Sequence, residues 1–326
     1  MATQAKPTTE TVPVTVESFT RAESDLYFAN VVKEGGFGKF NHRREPAAVE
    51  NQTVIRLNRD TLYSSVVLDL DAGPATVTLP DAKGSFMSLQ LINEDEYTLP
   101  TIYKPGPHKI TKEQVGTRYM IVGIRTLVDP SDPQDLKRAH ALQDALKLDQ
   151  PGGPGKFEIP NWDAASQKKV REALLTLATT ITDTSRSFGT KDEVDPVQHL
   201  IGAASAWGAN SPKDATYLNF TPDNNDGKAA YRLKVKDVPV DGFWSVIVYN
   251  KEGYIPKNDR NVYSYNNLTA KKDADGSVTI QFGGCDGAQS NCIPIVPGWN
   301  YMVRLYRPRK EILDGTWKFP AATPVR

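Results

Sequence analysis

Gly242-Phe243-Trp244-Ser245-Val246-Ile247-Val248-Tyr249-Asn250 is the stretch on which the fold turns. It is β-branched and aromatic, and it reads as a buried strand. Alternation places Trp244, Val246, Val248 and Asn250 on one face and Phe243, Ser245, Ile247 and Tyr249 on the other. Around it lie further period-two runs. Tyr231 to Lys236 reads as a half-exposed strand, Val278 to Phe282 follows the turn Asp273-Ala274-Asp275-Gly276, and Tyr301 to Tyr306 closes the set. Short strands joined by tight turns predict a β-sandwich.

The first half carries a similar pattern. Asn58-Arg59-Asp60-Thr61-Leu62-Tyr63-Ser64 leads into a strand over 62–70, and Val54-Ile55-Arg56-Leu57, Ala75 to Leu79, Ser85 to Ile92 and Arg118 to Val128 also alternate. Before them, Phe19, Ala22, Leu26, Ala29 and Val32 recur at helical spacing, and Gly35-Gly36 supplies a stop. Residues 130–212 read as helical: one helix from Asp132-Pro133 to about Leu148, one over 163–188 with Val170, Leu174, Leu177 and Ile181 as its stripe, and one from Asp195-Pro196 to Trp207-Gly208. The predicted class is mainly β (α+β), with two antiparallel β-sandwich or jelly-roll-like domains and a helical middle segment. The expected division is a mobile tail over 1–14, an N-terminal sandwich over 15–130, a helical linking segment over 131–212 and a C-terminal sandwich over 213–326.

Composition excludes several classes. Of 326 residues, Lys and Arg number 39 and Asp and Glu also 39, so no net field draws the chain to nucleic acid or an anionic membrane. No apolar run reaches the ~18 residues needed to span a bilayer. Cys285 and Cys292 lie in a short Gly/Asn/Ser-rich loop; a bridge there fits an oxidising compartment, while free thiols remain the alternative. The expected location is periplasmic or secreted if a leader has been removed, and cytoplasmic otherwise.

Several blocks in order resemble a known tandem. Asn58 to Ser64, Leu79-Pro80-Asp81 through Leu91, and Arg125-Thr126-Leu127-Val128-Asp129 with Leu142-Gln143-Asp144 are similar to the family called domain of unknown function 1254. Trp207-Gly208-Ala209-Asn210, Asp214-Ala215-Thr216-Tyr217, Gly242 to Tyr249, and Arg304 to Pro308 with Leu313 to Trp317 are similar to its companion, domain of unknown function 1214. The resemblance implies the fold, and export in many members, but no activity. Asn291-Cys292 departs from the Asn-Trp pair of the family, which favours a bridge to Cys285, and the spacer between the halves is short for the family.

Chemistry is written less plainly. Asn58-Arg59-Asp60 at a strand entry is either a turn fixed by Asn and Asp side chains or a pocket wall in which Arg59 holds an anion. Arg125, within an apolar strand, needs a partner such as Asp129 or Asp60 and is either a structural ion pair or a ligand anchor. Trp244 and Tyr249 are either core or ligand-packing aromatics, with Tyr63 beside them as a third binding candidate. Glu252, in Asn250-Lys251-Glu252-Gly253-Tyr254, is the acid/base candidate with Asp60, or else a solvated turn residue.

His42, His108, His140 and His199 show no ligand spacing, so no metal site is favoured, and no nucleotide motif names a cofactor. Two functions follow. The first is an exported protein that binds a small organic molecule or glycan at a pocket near the domain junction, acting as a simple binder or as a hydrolase or lyase without a local motif. The second is a non-catalytic structural protein that assembles into homo-oligomers through its sandwich surfaces.

Overall fold

The computed structural model describes residues 10–52, 54–287 and 290–325. In chain order the first elements are α1 (Phe19–Lys33), β1 (Asn41–Arg43), β2 (Thr61–Asp69), β3 (Ala75–Leu79), β4 (Met87–Asn93), β5 (Gly106–Ile110), α2 (Lys112–Val115) and β6 (Tyr119–Leu127). Then come α3 (Pro133–Asp144), β7 (Lys147–Asp149), α4 (Ala164–Ala178) and α5 (Pro196–Ala206). The last are β8 (Ala215–Phe220), β9 (Tyr231–Val235), β10 (Trp244–Tyr249), β11 (Ser264–Asn266), β12 (Val278–Phe282), β13 (Cys292–Ile293), β14 (Asn300–Tyr306), α6 (Lys310–Leu313) and β15 (Thr323–Pro324). The class is α+β with β dominant, as the alternation predicts. The chain forms two compact units, each assembled from three stretches: 1–42, 63–125 and 142–211 in unit 1, and 43–62, 126–141 and 212–326 in unit 2.

In unit 2 the sheets run β11-β10-β14-β8 and β13-β12-β9-β15. Trp244, Val246 and Val248 face Leu233, Val278, Ile280, Phe282, Trp299 and Val303, and this is the main core. Each large apolar side chain so buried contributes roughly 1.5–3 kcal/mol. The face assignment made on β10 therefore holds. Its second face carries Ile247 and Tyr249, which pack with Met302, Ile255, Tyr263 and, from the 43–62 stretch, Val49 and Leu57. That stretch corrects one expectation: Val54-Ile55-Arg56-Leu57 is not a strand, and Val54 and Ile55 are exposed. Its backbone bonds instead to turns, with Arg56 N–H on the Gly253 carbonyl at 2.8 Å and Gln52 bonded to the Ile255 backbone in both directions.

Unit 1 holds the sheet β1-β2-β6-β4 and a second sheet β5-β3-β7. Val66, Leu68, Met120, Val122 and Ile124 of the first meet Ala75, Val77, Leu79 and Ile110 of the second. The third strand, β7, was expected to be the end of a helix. Helix α3 stops at Asp144, and Lys147, Leu148 and Asp149 pair with Thr78, Val77 and Thr76. Close approach nearby requires a glycine: a Cβ on Gly152 would lie 1.6 Å from the Ala72 carbonyl oxygen.

Helices α1, α4 and α5 pack around Phe19, Ala22, Leu174, Ile201 and Ala203. Helix α4 ends at Ala178, ten residues before the predicted stop, and Leu177 of its predicted stripe is exposed. Helix α1 differs more. Leu26 of its predicted stripe is exposed while Glu23, Ser24, Asp25 and Phe28 are buried. It is packed on two sides, by the helices and by the aromatic cluster of Tyr119, Phe157 and Trp207, so its polar side is enclosed as well. Of the expected tail, residues 1–9 lie outside the described residues, Val14 is buried, and Val12 bridges Trp162.

Candidate functional site

Unit 2 gathers the polar residues of its two sequence motifs. Strand register fixes the first row: Ser245 on β10 stands opposite Asn266 on β11 and Arg304 on β14, and Arg304 stands opposite Tyr217 on β8. The 43–62 stretch covers this row and inserts Asp60, which is 1% exposed. Asn58 Oδ1 accepts the Asp60 N–H at 2.8 Å, so the Asn58-Arg59-Asp60 turn is indeed pinned by a side chain. Asn266 Nδ2 donates to Asp60 Oδ1 at 3.1 Å. Asp60 Oδ2 and Ser245 Oγ both end without a well-formed hydrogen bond. Burial pushes the Asp60 carboxyl above its usual range, offset only in part by Ser245, Arg304, Asn266 and Arg59.

Two guanidinium groups, Arg304 and Arg59, act on this one buried carboxylate, and a third, Arg56, lies beside Arg304. Arg304, 3% exposed, donates to the Arg56 carbonyl at 2.7 Å and to Tyr249 Oη at 2.9 Å, while its Nη1 has no partner. Tyr249 Oη in turn donates to the Leu57 carbonyl at 2.7 Å. Arg56 lies over the Tyr249 ring, 4.9 Å from its centroid, and bonds Asn300. Arg59 lies 5.4 Å from the Tyr263 centroid and bonds the Ala47 carbonyl. Among the described residues no carboxylate comes within 4.0 Å of Arg56, Arg59 or Arg304. Burial, foremost, and Arg304 hold the Arg56 guanidinium below its ordinary value, and burial does the same to Arg59. Arg56 also has φ 57°, a left-handed backbone that costs a side-chain-bearing residue about 1–3 kcal/mol and persists only where the surroundings enforce it.

Of the predicted residues, Arg59, Asp60 and Tyr249 come together here. Trp244 lies on the opposite face of β10, in the main core, tilted against Phe319 at 6.2 Å. Glu252 is exposed in the turn that Asn250 Oδ1 pins by accepting the N–H groups of Glu252 and Tyr254. Arg125 and Tyr63 meet in unit 1, with the guanidinium 5.5 Å from the ring centroid, and Arg125 also bonds Gln90 and Asn210. Sequence reasoning missed Arg56, Arg304, Asn266 and Ser245 as site members. Register could have supplied Arg304, since a lone arginine at the centre of Tyr301 to Tyr306 has to find a partner.

It also missed a second buried polar layer, in unit 1. Glu23, 2% exposed, takes two bonds from Arg171, at 2.9 and 2.5 Å, and one from Gln167 at 2.9 Å. Asp25 Oδ2 accepts Trp162 Nε1–H at 2.7 Å. Glu94 Oε2 accepts the Tyr119 N–H at 2.9 Å, and Arg21 stands 3.6 Å from its other oxygen. Glu96, left-handed at φ 63°, accepts the Gly208 N–H at 3.0 Å. Burial, with Glu94 adding repulsion, pushes the Asp25 carboxyl up to about 6. Burial, with Glu23 adding to it, pushes Glu96 up to about 8.

The cysteines are bridged, with S–S 2.00 Å, and Cys292 enters β13 beside Gln281. Among the described residues no group of three His, Cys, Asp or Glu side chains is placed to hold a metal ion, and no helix is long and apolar enough to cross a membrane. Surface hollows lined by Asp71, Lys109, Lys112 and Glu113, and by Arg232 and Thr323, hold none of the predicted residues.

Residues 37–123 match the family model described as Protein of unknown function (DUF1254), and residues 214–310 match Protein of unknown function (DUF1214). The chain carries the two families in tandem. Asp60 and Tyr63 fall in the DUF1254 match; Tyr249, Asn266 and Arg304 fall in the DUF1214 match. The VPA0106 protein from Vibrio parahaemolyticus shares the fold at a TM-score of 0.75 and 19% identity, over 95% of this chain and 98% of its own. An uncharacterized protein from Burkholderia cenocepacia matches at a TM-score of 0.52 and 12% identity, over 95% of this chain and 87% of its own. No curated protein matches the chain.

Proposed function

We propose that this protein binds a small organic anion at the Arg56–Arg59–Arg304 cluster of unit 2. The observation that carries the reading is the charge imbalance: Arg304 and Arg59 act on a buried carboxylate whose charged form burial disfavours, Arg59 has only Glu50 besides, and Arg56, beside Arg304, has no carboxylate acting on it. Arg56 and Arg59 are half-buried, so their free donors remain within reach of solvent. Guanidinium forks bind carboxylate and phosphate oxygens in pairs, and the phenol rings beneath them restrict their movement. A neutral glycan would leave the excess positive charge uncompensated; a carboxylate or phosphate group on a small molecule would not. Should the ligand be turned over, Asp60 is the group suited to move a proton, because burial raises its carboxyl above its ordinary range. The Cys285–Cys292 bridge supports an exported protein.

The test is a thermal-shift screen of the full chain against small carboxylates and phosphate esters. A binder at 100 times its Kd stabilises the folded state by about 2.7 kcal/mol. The shift is expected to vanish in the Arg56→Ala/Arg59→Ala variant and to survive in Arg125→Ala. Absence of any anion-dependent shift, or a shift that outlives the double variant, would sink the reading.

A further inference from the structure

Five carboxyl groups crowd around the turn after β4: Glu94, Asp95 and Glu96 on the turn itself, Glu23 and Asp25 on α1. Two arginines face them, and both are committed. Arg171 of α4 is bonded to Glu23 through two nitrogens, and Arg21 of α1 holds Asp95 at 2.5 Å and Glu94 at 3.6 Å. Asp25 and Glu96 are each 1% exposed, each has one oxygen bonded to a neutral N–H, and each ends with its other oxygen, Oδ1 and Oε2, without a partner. Two negative charges left there would be buried without an ion pair of their own, Arg21 acting on Asp25 only from a distance, so the packing itself calls for protons.

We propose that unit 1 contains a proton-operated clasp, in which neutral Glu96 holds the segment after α5 closed, and its ionisation, which leaves the buried Oε2 charged without a partner, opens that segment to solvent. The segment is Trp207 to Asn210. Glu96 holds the Gly208 N–H, the Trp207 ring stacks on Tyr27 of α1 at 4.3 Å, Trp207 Nε1 donates to Ser24 Oγ at 3.1 Å, and Gln90 donates to the Ala209 carbonyl at 3.0 Å. Gly208, at φ 78°, is the point where the backbone can swing.

The charged and titratable groups facing the clasp are Arg21, Glu23, Asp25 and Tyr27 from α1, Arg171 from α4, His199 from α5, Tyr119 and Arg125 from β6, the latter bonded to Gln90 and Asn210, and Glu94, Asp95 and Tyr97 from the turn. His199 is engaged on both sides by carbonyl oxygens, of Ser187 and of Asp95, at 3.0 and 2.9 Å, and does not reach Glu96. Both carboxyl values are raised in the folded state, so the folded chain binds more protons than the unfolded one. The stability they contribute is present in full below their ordinary values, 3.8 and 4.5, and is lost as pH rises through about 6 for Asp25 and about 8 for Glu96.

Amide hydrogen exchange across 203–212 in the full chain, corrected for the intrinsic chemical rate, reads the clasp directly. Protection is expected to fall by more than about tenfold from the acid to the alkaline side of Glu96, because a perturbation of one unit already gives that ratio. In Glu96→Gln the alkaline step should disappear, since the amide oxygen still accepts the Gly208 N–H while nothing ionises. Asp25→Asn, whose carboxyl bonds Trp162 and not this segment, should leave the alkaline step in place. Wild-type protection that is flat with pH, or Glu96→Gln showing the wild-type profile, overturns the clasp. If Glu96→Gln does not fold, carbon-13 NMR of the wild-type side-chain carboxyls decides: one titrating near 8 supports the proposal, and every one titrating in the ordinary carboxylate range overturns it.

Discussion

Unit 2 and unit 1 each bury a polar layer, and the two layers are unbalanced in opposite senses. In unit 2, Arg59 and Arg304 act on Asp60, with Arg56 beside Arg304. In unit 1, Glu23, Asp25, Glu94, Asp95 and Glu96 are met by Arg21 and Arg171. The difference shows what each surplus can be relieved by. Guanidinium groups do not lose their protons at physiological pH, so a positive surplus is relieved by water or by an anion and not by titration. Carboxylates can take up protons, so a negative surplus is met by the solvent's own hydrogen ions.

The sharpest break of this contrast is to remove one committed arginine from each layer. Arg304→Met leaves the Arg56 carbonyl and Tyr249 Oη without their donor and Asp60 without its nearest positive charge; we expect a loss of about 3–5 kcal/mol in urea melts. Asp60 can then relieve the strain by keeping its proton, so the loss should be smaller in acid than in alkali. Arg171→Met removes both bonds to Glu23 and should cost a similar amount, about 3–5 kcal/mol. A loss below about 1 kcal/mol in either variant would mean that its layer tolerates the bare charge, contrary to the cost of an uncompensated buried ion.

The two layers also differ in how far they can be read from the chain. Asn58-Arg59-Asp60 stands at the entry of a period-two run, and a polar triplet before an apolar strand is conspicuous, so Arg59, Asp60 and Tyr249 were legible. Their remaining partners come from strand register: Ser245, Asn266 and Arg304 are brought side by side only by the ladders of β10 with β11 and β14. Arg56 looked like part of a strand because its neighbours Val54, Ile55 and Leu57 are apolar. Its left-handed backbone is imposed by the Gly253 turn, 197 positions along the chain from it.

In unit 1 the signal pointed the wrong way. Glu23 and Asp25 lie outside the predicted apolar stripe of α1, and such charged helix positions ordinarily face water. They are enclosed because Arg171 and Trp162, from segments more than 130 positions away, reach back to them. Periodicity reports the apolar stripe of a helix and is silent on whether a second layer covers its polar one.

A smaller effect separates the core of unit 2 from its polar layer. The bridge between Cys285 and Cys292 closes a loop of sequence separation 7 beside β12 and β13, in the sheet that does not carry Arg304. Loop-closure entropy for so short a loop gives about 2.5 kcal/mol. Reducing the bridge, or the Cys285→Ser/Cys292→Ser variant, should lower the unfolding free energy from urea melts by that amount while leaving anion-dependent stabilisation unchanged. A loss of anion response on reduction would show that the two sheets of unit 2 are coupled through the bridge.

The smallest effect tests whether the protons of unit 1 are assigned to the right groups. Asp195 caps α5, its side chain accepting the N–H groups of Val197 and Gln198 at 3.0 and 3.1 Å, with Pro196 in the first turn. Asp195→Ala removes the cap and should cost about 1 kcal/mol. The helix it starts ends at Ala206, just before the segment held by Glu96. If the acid stabilisation of unit 1 comes from Asp25 and Glu96, loss of a cap at the opposite end of α5 lowers the stability-against-pH curve by the same amount everywhere and leaves its slope intact, because the slope counts only protons taken up on folding. Melts of the variant and the wild type across the interval that spans the Asp25 and Glu96 values should therefore run parallel. Curves that converge or diverge there would place part of the proton uptake on the cap and remove it from the carboxyl pair.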